Sequence, residues 1–538
     1  MRWLWVLAVF GACNGGHPPP GDAGPVSITL ETEQGRPLAP SGATVVEIVF
    51  HERDAAGQPH DVTRSANVKA DGSFDLGDLA PSGRVSIEAT LRNDSGAAVG
   101  YGRTALAELA GDAAITVQVR RPIAYFAGTV SRDADGDPST TPLHWTEAPA
   151  TFSDLSSGAG LDGKAQVGGN AVLVIAAGPS LYMVAQATSD PAGALTGPAQ
   201  VLPIATADHK LGAALAGTMT GAVLDGAGAD DGGKLVIGTT TQLFVIDARA
   251  QPQTATPIAD GSFSRVAILT TDTGEIDAVA IRNRGATTGA CATTAELWWA
   301  TLSGDAAARA HLVATGGFSD IATDRGRAFY VDACKGELGE VTSASAKLLR
   351  TIPGTGAGAS AGKPTALAVS NGQAYLGVEA PPASATAPAT ASLLVTSTDV
   401  ASDPVRTLWS EGAQQVLDVM SFPDVRRQMN ASSVVIGHLE LGAGGDYVAL
   451  TTSAHFDGPP ITQLHIPEML IDTEELRVFD AATGGVVQRY RSWCDGIVLR
   501  ITGDISGWEC AAAAGQSAPA ADPYEHHIGS MTFQFGKK

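Results

Sequence analysis

The sequence predicts an all-β protein, and three observations support this. Of 538 residues, 63 are glycine and 30 are proline, which favours frequent turns over long helices. Many short segments alternate apolar and polar residues with a period of two, as half-buried strands do. From about residue 122, strand pairs recur roughly every 43 to 64 residues. We therefore predict an N-terminal β-sandwich followed by a β-propeller of about seven blades, within a range of six to eight.

Residues 1–12 have the features of a signal peptide. Arg2 supplies a positive charge, an apolar run covers 3–10, and Gly11-Ala12-Cys13 follows. The apolar run is far shorter than the roughly 20 residues of a membrane-spanning helix. The arrangement resembles the lipobox of bacterial lipoproteins, although Phe10 stands where that motif usually has leucine. The resemblance implies that Cys13 carries the lipid; the alternative is an ordinary signal peptide with a chance cysteine.

Residues 13–25 are rich in glycine and proline and have almost nothing to bury. We predict a tether that holds the folded body away from a membrane. Bacterial lipoproteins are sorted by the residue after the lipidated cysteine, and aspartate there commonly retains them in the inner membrane. Asn14 follows Cys13 in this chain, so the resemblance implies an outer-membrane lipoprotein of the cell envelope, facing the periplasm or the exterior.

Residues 26–121 predict the β-sandwich. Strand-like alternation is clearest over 26–30, 44–50, 84–91 and 114–119, with turn-forming residues between these segments. The stretch from Asp71 to Gly83, followed by an alternating strand, resembles the carboxypeptidase-regulatory-like or transthyretin-like module of exported proteins. The predicted domain is thus immunoglobulin-like or transthyretin-like, and the resemblance implies a spacer or adhesion role without catalytic residues.

Residues 122–538 predict the β-propeller. The segment beginning Phe318-Ser-Asp-Ile-Ala recurs as Pro364-Thr-Ala-Leu-Ala at an offset of 46 residues, and Ser264-Arg-Val-Ala-Ile is a looser copy. A strand near 530–535 would complete a blade begun near 123–130 and close the ring. A further strand pair is expected between 416–420 and 434–437. The alternative to a propeller is two separate β-sandwiches.

The charge and the cysteines limit the function classes. A formal net charge of −22 without any basic cluster excludes a nucleic-acid partner. Four cysteines remain beyond Cys13, an even number that suggests two disulfides in an exported chain. Three pairings are formally open, and proximity in sequence favours Cys291–Cys334 and Cys494–Cys510.

One short acidic motif suggests a cation. Asp133, Asp135 and Asp137 occupy alternate positions, as in loops whose oxygens converge on calcium. Pro138 and His144 stand where the complete calcium-loop pattern has glycine and glutamate, so an acidic turn is the simpler interpretation. Calcium is the one candidate cofactor, and we expect no other.

Other motifs give weaker indications. Gly358-Ala-Ser-Ala-Gly362 matches the nucleophile-elbow pattern of hydrolases, but it lies in a loop of small residues where the match is expected by chance. The eleven histidines include His438, His455, His465 and the adjacent pair His526-His527, and this pair could bind a metal. One of Trp298 and Trp299 could present an aromatic sugar platform. Surface or packing roles are the simpler interpretations.

These observations favour a binding or scaffold protein of the bacterial envelope, attached to the membrane through its lipidated N-terminus. Its propeller would bind a protein or a polysaccharide. The alternative is a secreted or periplasmic propeller enzyme: a hydrolase, a lyase or a quinoprotein-type dehydrogenase. One histidine with several acidic side chains near the propeller axis would favour the enzyme, and a flat or apolar face would favour the binding protein.

Overall fold

The structure, a computed structural model, describes the chain from Ser27 to Phe533 with internal gaps. The residues outside the description are 1–26, 33–42, 54–58, 71–72, 77–82, 95, 97, 105–106, 110–113, 120–123, 128–130, 133–137, 140–142, 147–162, 166–168, 178–179, 188–196, 206–209, 216–218, 230–231, 251–252, 272–273, 284–292, 303–308, 359, 401, 418–426, 443–446, 459–467, 492–494, 502–503, 512–529 and 534–538. Every regular element in the described part is a β-strand, which confirms the all-β class. No helix there is long and apolar enough to cross a membrane.

Two sheets make up the N-terminal module, which we define as residues 27–119. Its strands are β1 (Ser27–Thr32), β2 (Val45–Arg53), β3 (Pro59–Asn67), β4 (Gly83–Arg92), β5 (Ala98–Arg103), β6 (Ala107–Leu109) and β7 (Ala114–Val119). β1 pairs with β7 in parallel, and the other sheet has the order β3-β2-β4-β5, with β6 also paired to β4. A buried apolar core joins the two sheets: Ile48, Phe50 and Ile87 on one side, Val117 and Val119 on the other.

Five four-stranded antiparallel sheets follow one another along the chain, and we number them first to fifth. Their strands are β13 (Asn170–Ala177), β14 (Ser180–Gln186), β15 (Ala199–Ala205), β16 (Lys210–Leu211); β17 (Val223–Gly228), β18 (Lys234–Thr239), β19 (Gln242–Asp247), β20 (Ala255–Asp260); β21 (Phe263–Thr270), β22 (Ile276–Arg282), β23 (Ala295–Thr301), β24 (Arg309–Gly316); β25 (Phe318–Asp324), β26 (Arg327–Asp332), β27 (Glu337–Val341), β28 (Ala346–Thr351); β29 (Lys363–Ser370), β30 (Gln373–Ala380), β31 (Thr390–Ser397) and β32 (Arg406–Gly412).

A sixth and a seventh sheet complete the series. The sixth contains β35 (Ser433–Gly442), β36 (Tyr447–Gly458), β37 (Glu468–Asp480), β38 (Val486–Arg491), β39 (Asp495–Ile501) and β40 (Asp504–Ala511). The seventh has the order β41-β8-β11-β12, from β41 (Ser530–Phe533), β8 (Ala124–Ala127), β11 (Leu143–Thr146) and β12 (Gly163–Ala165). Two small hairpins lie outside these sheets: β9 (Ser131–Arg132) with β10 (Pro138–Ser139), and β33 (Gln414–Leu417) with β34 (Arg427–Asn430).

The pairing of β41 with β8 joins the C-terminal strand to the first strand after the module. Phe533 pairs with Ala124 and Ser530 with Ala127, so the predicted closing contact is confirmed. The expected pairing of 416–420 with 434–437 is wrong. Val416 pairs with Gln428 inside the small hairpin β33-β34, whereas Val434 pairs with Ala454 of β36. The actual partner, Arg427-Gln-Met-Asn430, lacks the apolar alternation on which the expected pairing was based.

These sheets are arranged as a propeller in the part of the chain that the structure describes. We call the first strand of each sheet order its inner strand: β13, β17, β21, β25, β29, β35 and β41. Each inner strand contacts the next, and β41 contacts both β35 and β13, so the series is cyclic. Apolar side chains fill the space between successive sheets, as where Leu173 and Ile175 pack with Leu235 and Ile237. Each fully buried leucine or isoleucine there contributes about 1.5–3 kcal/mol, which no single sheet could gain alone.

We expect the closing strand to contribute measurably to stability. Truncation after residue 529 removes β41 and its four backbone pairs with β8, and should lower the apparent Tm by about 5 °C or more. Truncation after residue 533 keeps β41 and is the matched control. Equal melting temperatures for the two truncated proteins, measured by differential scanning calorimetry, would contradict this role of β41.

Candidate functional site

A β-bulge recurs at the same place in six inner strands. One extra residue interrupts the register with the second strand between Ala171/Leu173, Val223/Asp225, Phe263/Arg265, Phe318/Asp320, Pro364/Ala366 and Ile436/His438. A bulge turns the side chain that follows it and increases the local twist. In four of the six strands that side chain is ionisable: Asp225, Arg265, Asp320 and His438. The repeat therefore brings ionisable groups from separate sheets to equivalent positions.

Two of these side chains connect neighbouring sheets. Asp225 Oδ2 accepts a hydrogen bond from the backbone N–H of Val266 at 2.8 Å, and Asp320 Oδ2 accepts one from Leu367, also at 2.8 Å. Val266 and Leu367 both stand one residue after the bulge of the next inner strand. An inner strand is an edge strand, so the N–H groups on its open side need an acceptor from outside the sheet. These carboxylates supply it.

A second kind of contact serves the residue before the bulge. The side-chain oxygen Oε1 of Gln186 accepts the N–H of Val223 at 3.0 Å, and Glu379 Oε1 accepts the N–H of Ile436 at 2.7 Å. Gln186 and Glu379 both belong to second strands, β14 and β30, and both are buried. An amide and a carboxylate thus perform the same structural role at two places in the ring.

The inner strands of the second to sixth sheets enclose an axial cavity. Its enclosed volume is about 80 Å³, it is open to solvent, and polar and apolar atoms contribute similarly to its wall. The ionisable side chains on its lining are Asp225, Arg265, Asp320, His438 and Glu440. We call this space the axial cavity. It combines a concave shape with several polar side chains on its wall, two features of ligand sites.

Arg265 and Asp320 form one ion pair in the cavity. Arg265 Nε lies 3.1 Å from Asp320 Oδ1, which also accepts the N–H of Ile321 at 2.9 Å. Together with the bond from Leu367, both oxygens of Asp320 have protein partners. Asp320 therefore positions Arg265 and holds the fourth and fifth sheets together.

His438 and Glu440 form the second polar pair. They stand two residues apart on β35, which places both side chains on the same side of the strand. His438 Nε2 lies 3.0 Å from Glu440 Oε2. The Glu440 side chain is 3% exposed and that of His438 is 26% exposed. A buried carboxylate thus orients an imidazole that remains open to the cavity, an arrangement that suits either ligand binding or proton transfer.

Several residues proposed from the sequence lie outside the description. These are Cys13, Asp133, Asp135, Asp137, Cys291, Cys494, His465, His526 and His527. Cys510 lies in β40, and the placement of its side chain is also outside the description. Cys334 is buried, next to Gly317. The lipid, calcium and disulfide assignments therefore stay predictions. Among the described residues, no group of three or more histidine, cysteine or acidic side chains could hold a metal ion.

The glycine-rich loop 353–362 is not a nucleophile elbow. Its backbone closes around the ammonium of Lys363, which donates hydrogen bonds to the carbonyl oxygens of Gly356 and Gly358. Ser360 is exposed, and β29 begins directly after the loop. The motif lacks the strand-to-helix turn that such a nucleophile needs.

The two tryptophans differ in environment. Trp299 is 5% exposed and packs in the core between the third and fourth sheets. The ring of Trp298 lies on the other face, where the guanidinium of Arg282 stacks 5.4 Å from its centre and Phe263 packs edge-on. Trp298 is therefore half-buried, and Arg282 and Phe263 contact part of its ring.

The repeat in the sequence contains a signal for the cavity residues. The repeat alignment places Arg265 opposite Asp320, because Ser264-Arg-Val-Ala matches Ser319-Asp-Ile-Ala. Ionisable residues at one position of an otherwise apolar repeat point to the axis of a propeller. In the sequence His438 is one of several histidines, and no motif distinguishes Glu440 from the other acidic residues.

Comparisons with known proteins show fold similarity at low identity. No family model matches the chain, and no curated protein matches it. The periplasmic gluconolactonase PpgL of Pseudomonas aeruginosa is 14% identical over 69% of this chain and 96% of its own, with a TM-score of 0.40. AztD of Citrobacter koseri is 12% identical over 68% and 95%, with a TM-score of 0.32. Hydrazine synthase of Kuenenia stuttgartiensis is 11% identical over 58% and 80%, with a TM-score of 0.33.

We expect Asp320→Ala to destabilise the propeller. The substitution leaves the N–H groups of Ile321 and Leu367 without their acceptor and Arg265 without its partner, at a cost of about 3 kcal/mol in the free energy of unfolding. Asp403→Ala removes an exposed carboxylate from a surface turn and should change the same quantity by less than about 0.5 kcal/mol. Urea unfolding followed by fluorescence measures both, and similar values for the two variants would refute the structural role of Asp320.

Proposed function

We propose that this protein is a lipoprotein of the bacterial cell envelope, anchored through Cys13, whose seven-bladed propeller binds a hydroxyl-bearing ligand in the axial cavity. The ligand class is a polysaccharide or a fragment of one. The single observation that carries the binding role is the His438–Glu440 pair on the wall of that cavity. The cyclic order of the inner strands supports the blade count.

The size of the cavity favours a sugar unit over a protein surface. The axial cavity is a concavity open to solvent with an enclosed volume of about 80 Å³, below the roughly 300–1,000 Å³ of a site that encloses a whole small molecule. A protein partner would need a contact face of about 800 Å² on each side. A space of this size admits part of a sugar unit that projects into it, such as a chain end, whereas a folded protein domain cannot enter.

The polar groups favour hydroxyls as the ligand chemistry. Asp320 is saturated by protein partners, and Asp225 gives one oxygen to Val266. The imidazole of His438 and the carboxylate of Glu440 can accept hydrogen bonds from hydroxyl groups, and Arg265 can donate to a ring or hydroxyl oxygen. A sugar presents both donors and acceptors and therefore matches this mixed set.

The anchor is tested at the N-terminus. Mass spectrometry of the mature protein from detergent-extracted membranes should show Cys13 as the first residue with a diacylglycerol on its sulfur. Cys13→Ala should leave the protein without the lipid and move it to the soluble fraction. An unmodified N-terminus in the natural protein would refute the anchor and favour a released protein.

The binding role is tested on an array of defined oligosaccharides that includes neutral, amino-sugar and uronic-acid chains. We expect the natural protein to bind a subset, and Glu440→Gln and His438→Ala to weaken the Kd at least about tenfold, as loss of a charge-assisted hydrogen bond does. His311→Ala is the matched control, because His311 does not line the cavity. Its Nε2 lies 2.7 Å from the carbonyl oxygen of Ser343. Equal binding by Glu440→Gln and the control would refute the axial site.

An enzyme is the second candidate, and the same pair favours it. A histidine oriented by a buried carboxylate is the usual arrangement of a general base, and the cavity joins one histidine with three acidic residues. Incubation of the bound oligosaccharide followed by mass spectrometry separates the two roles. If the natural protein forms product and His438→Gln binds the oligosaccharide without forming product, the protein is a hydrolase or lyase. If the natural protein leaves the oligosaccharide unchanged, the result supports the binding protein.

A further inference from the structure

The chain enters the propeller at one particular end. In every sheet the second strand begins where the inner strand finishes, and we call this the turn end. In the seventh sheet the second strand is β8, whose first residue Ala124 pairs with Phe533, the last residue of β41. The connection from Val119 of the module therefore arrives at the turn end.

Three of the five ionisable side chains of the cavity lie toward the opposite end. Asp225, Arg265 and Asp320 are each the third residue of their inner strand. Arg325, in contrast, stands one residue beyond the end of β25, in the turn to β26. At about 3.3 Å per residue, five residues separate Asp320 from Arg325 by about 16 Å along the strand. We call the end with the three ionisable residues the cavity end.

A charged contact holds the module at the turn end. Arg325 Nη1 lies 3.8 Å from Asp61 Oδ1 on β3 of the module. Its Nη2 lies 2.5 Å from Oδ2 of Asp399, which follows the third strand of the fifth sheet, and Arg327 Nη1 lies 2.5 Å from Asp399 Oδ1. The Arg325 side chain is 10% exposed. Burial alone would lower the pKa of Arg325, but Asp324, Asp399 and Asp61 outweigh it and raise that pKa, so the guanidinium keeps its charge.

The module holds Asp61 in position. His51 Nδ1 lies 2.9 Å from Asp61 Oδ1, and His51 Nε2 lies 3.2 Å from Glu88 Oε2. The three residues stand on the adjacent strands β3, β2 and β4. His51 and Glu88 are buried, so the carboxylate of Asp61 is fixed from within the module before it meets Arg325.

The backbone of Arg325 gives an independent indication that its side chain is needed. Arg325 has a φ of 49°, in the left-handed region that disfavours long side chains. Asn371 occupies the equivalent turn of the fifth sheet, 46 residues later, with a φ of 50°. Asparagine adopts this conformation readily, so the turn itself does not require arginine. The contact with Asp61 and Asp399 accounts for it.

The tether leaves the module at its far end. β1 and β7 run in parallel, with Ser27 beside Ala114 and Thr32 beside Val119. The chain passes from Val119 to the propeller, so Ser27 lies about 17 Å away from that junction, at about 3.3 Å for each of five residues. The tether, the module and the propeller are thus connected in series.

We propose that the N-terminal module is a fixed spacer, docked on the turn end through Asp61, Arg325 and Asp399, and that it holds the cavity end away from the tether. The ligand then reaches the axial cavity from the side opposite the surface to which the tether leads. The docking stands on the structure alone, while its meaning for a membrane rests on the proposed anchor.

The docking is tested in solution with Arg325→Asn on the full mature chain. We expect the main unfolding transition of the propeller to stay or to rise, because asparagine suits the turn, while the module separates from the propeller. Small-angle scattering should then show a larger radius of gyration, and hydrogen exchange should become at least about tenfold faster in β3 and in the turn at 398–400. Arg406→Asn, which removes an exposed arginine from β32, is the control. An unchanged radius and unchanged exchange in Arg325→Asn would overturn the docking.

The orientation is tested separately from lipidation. The chain from residue 14, with a histidine tag before it, is attached to phosphatidylcholine vesicles that contain nickel-chelating and rhodamine-labelled lipid. A donor dye is attached to azidophenylalanine in place of Leu224, beside Asp225 at the cavity end, or of Val400, beside Asp399 at the turn end; both side chains are exposed. We expect clearly stronger energy transfer to the lipid from position 400 than from position 224.

Two outcomes decide the orientation. A difference between the two positions that falls in Arg325→Asn supports the fixed spacer. Equal transfer from both positions in the natural sequence overturns it. The histidine tag replaces the lipid, so this experiment does not depend on whether Cys13 is lipidated in the natural protein. A failure of the proposed anchor can therefore be distinguished from a failure of the proposed spacer.

Discussion

Every inner strand of this propeller is an edge strand, and the backbone groups on its open side must find partners in the neighbouring sheet. The chain meets this constraint with side chains at recurring positions. Asp225 and Asp320 act from one inner strand on the next, and Gln186 and Glu379 act from second strands. These bonds set the angle and spacing of the sheets, and hence the width of the space they enclose.

The same constraint determines which cavity residues are available for chemistry. Asp320 has both oxygens occupied by backbone groups and by Arg265, so its charge serves the fold. His438 and Glu440 bind each other on the cavity wall instead. Asp225 and Asp320 hold the neighbouring inner strands together. The His438–Glu440 pair therefore lies on a rigid wall, which keeps its two side chains in a defined orientation. The proposed ligand role and the enzymatic alternative both depend on that difference, because one histidine with three acidic side chains near the axis is the set expected of an enzyme.

The sequence predicted the class of fold from periodicity and from one repeat. The match of Phe318-Ser-Asp-Ile-Ala with Pro364-Thr-Ala-Leu-Ala corresponds to β25 and β29, and the closing strand near residue 530 was placed correctly. The pairing of 416–420 failed because apolar alternation marks a strand but does not name its partner. The sequence shows the cavity residues as ionisable groups in an apolar repeat, but no local pattern marks Glu440, because its role depends on the pairing with His438, directly after the bulge at Gly437.

What the sequence alone determined is therefore local: strands, turns and the repeat. These depend on residues near one another in the chain, where alternation and turn chemistry act directly. Only the tertiary structure decided which carboxylates face backbone, which face a cavity, and where the module sits. Asp61 and Arg325 are 264 positions apart in the chain and meet at 3.8 Å, and no local pattern records such a contact. The physical reason is that the function of a charged side chain depends on the groups that contact it, and folding brings those groups together from distant parts of the chain.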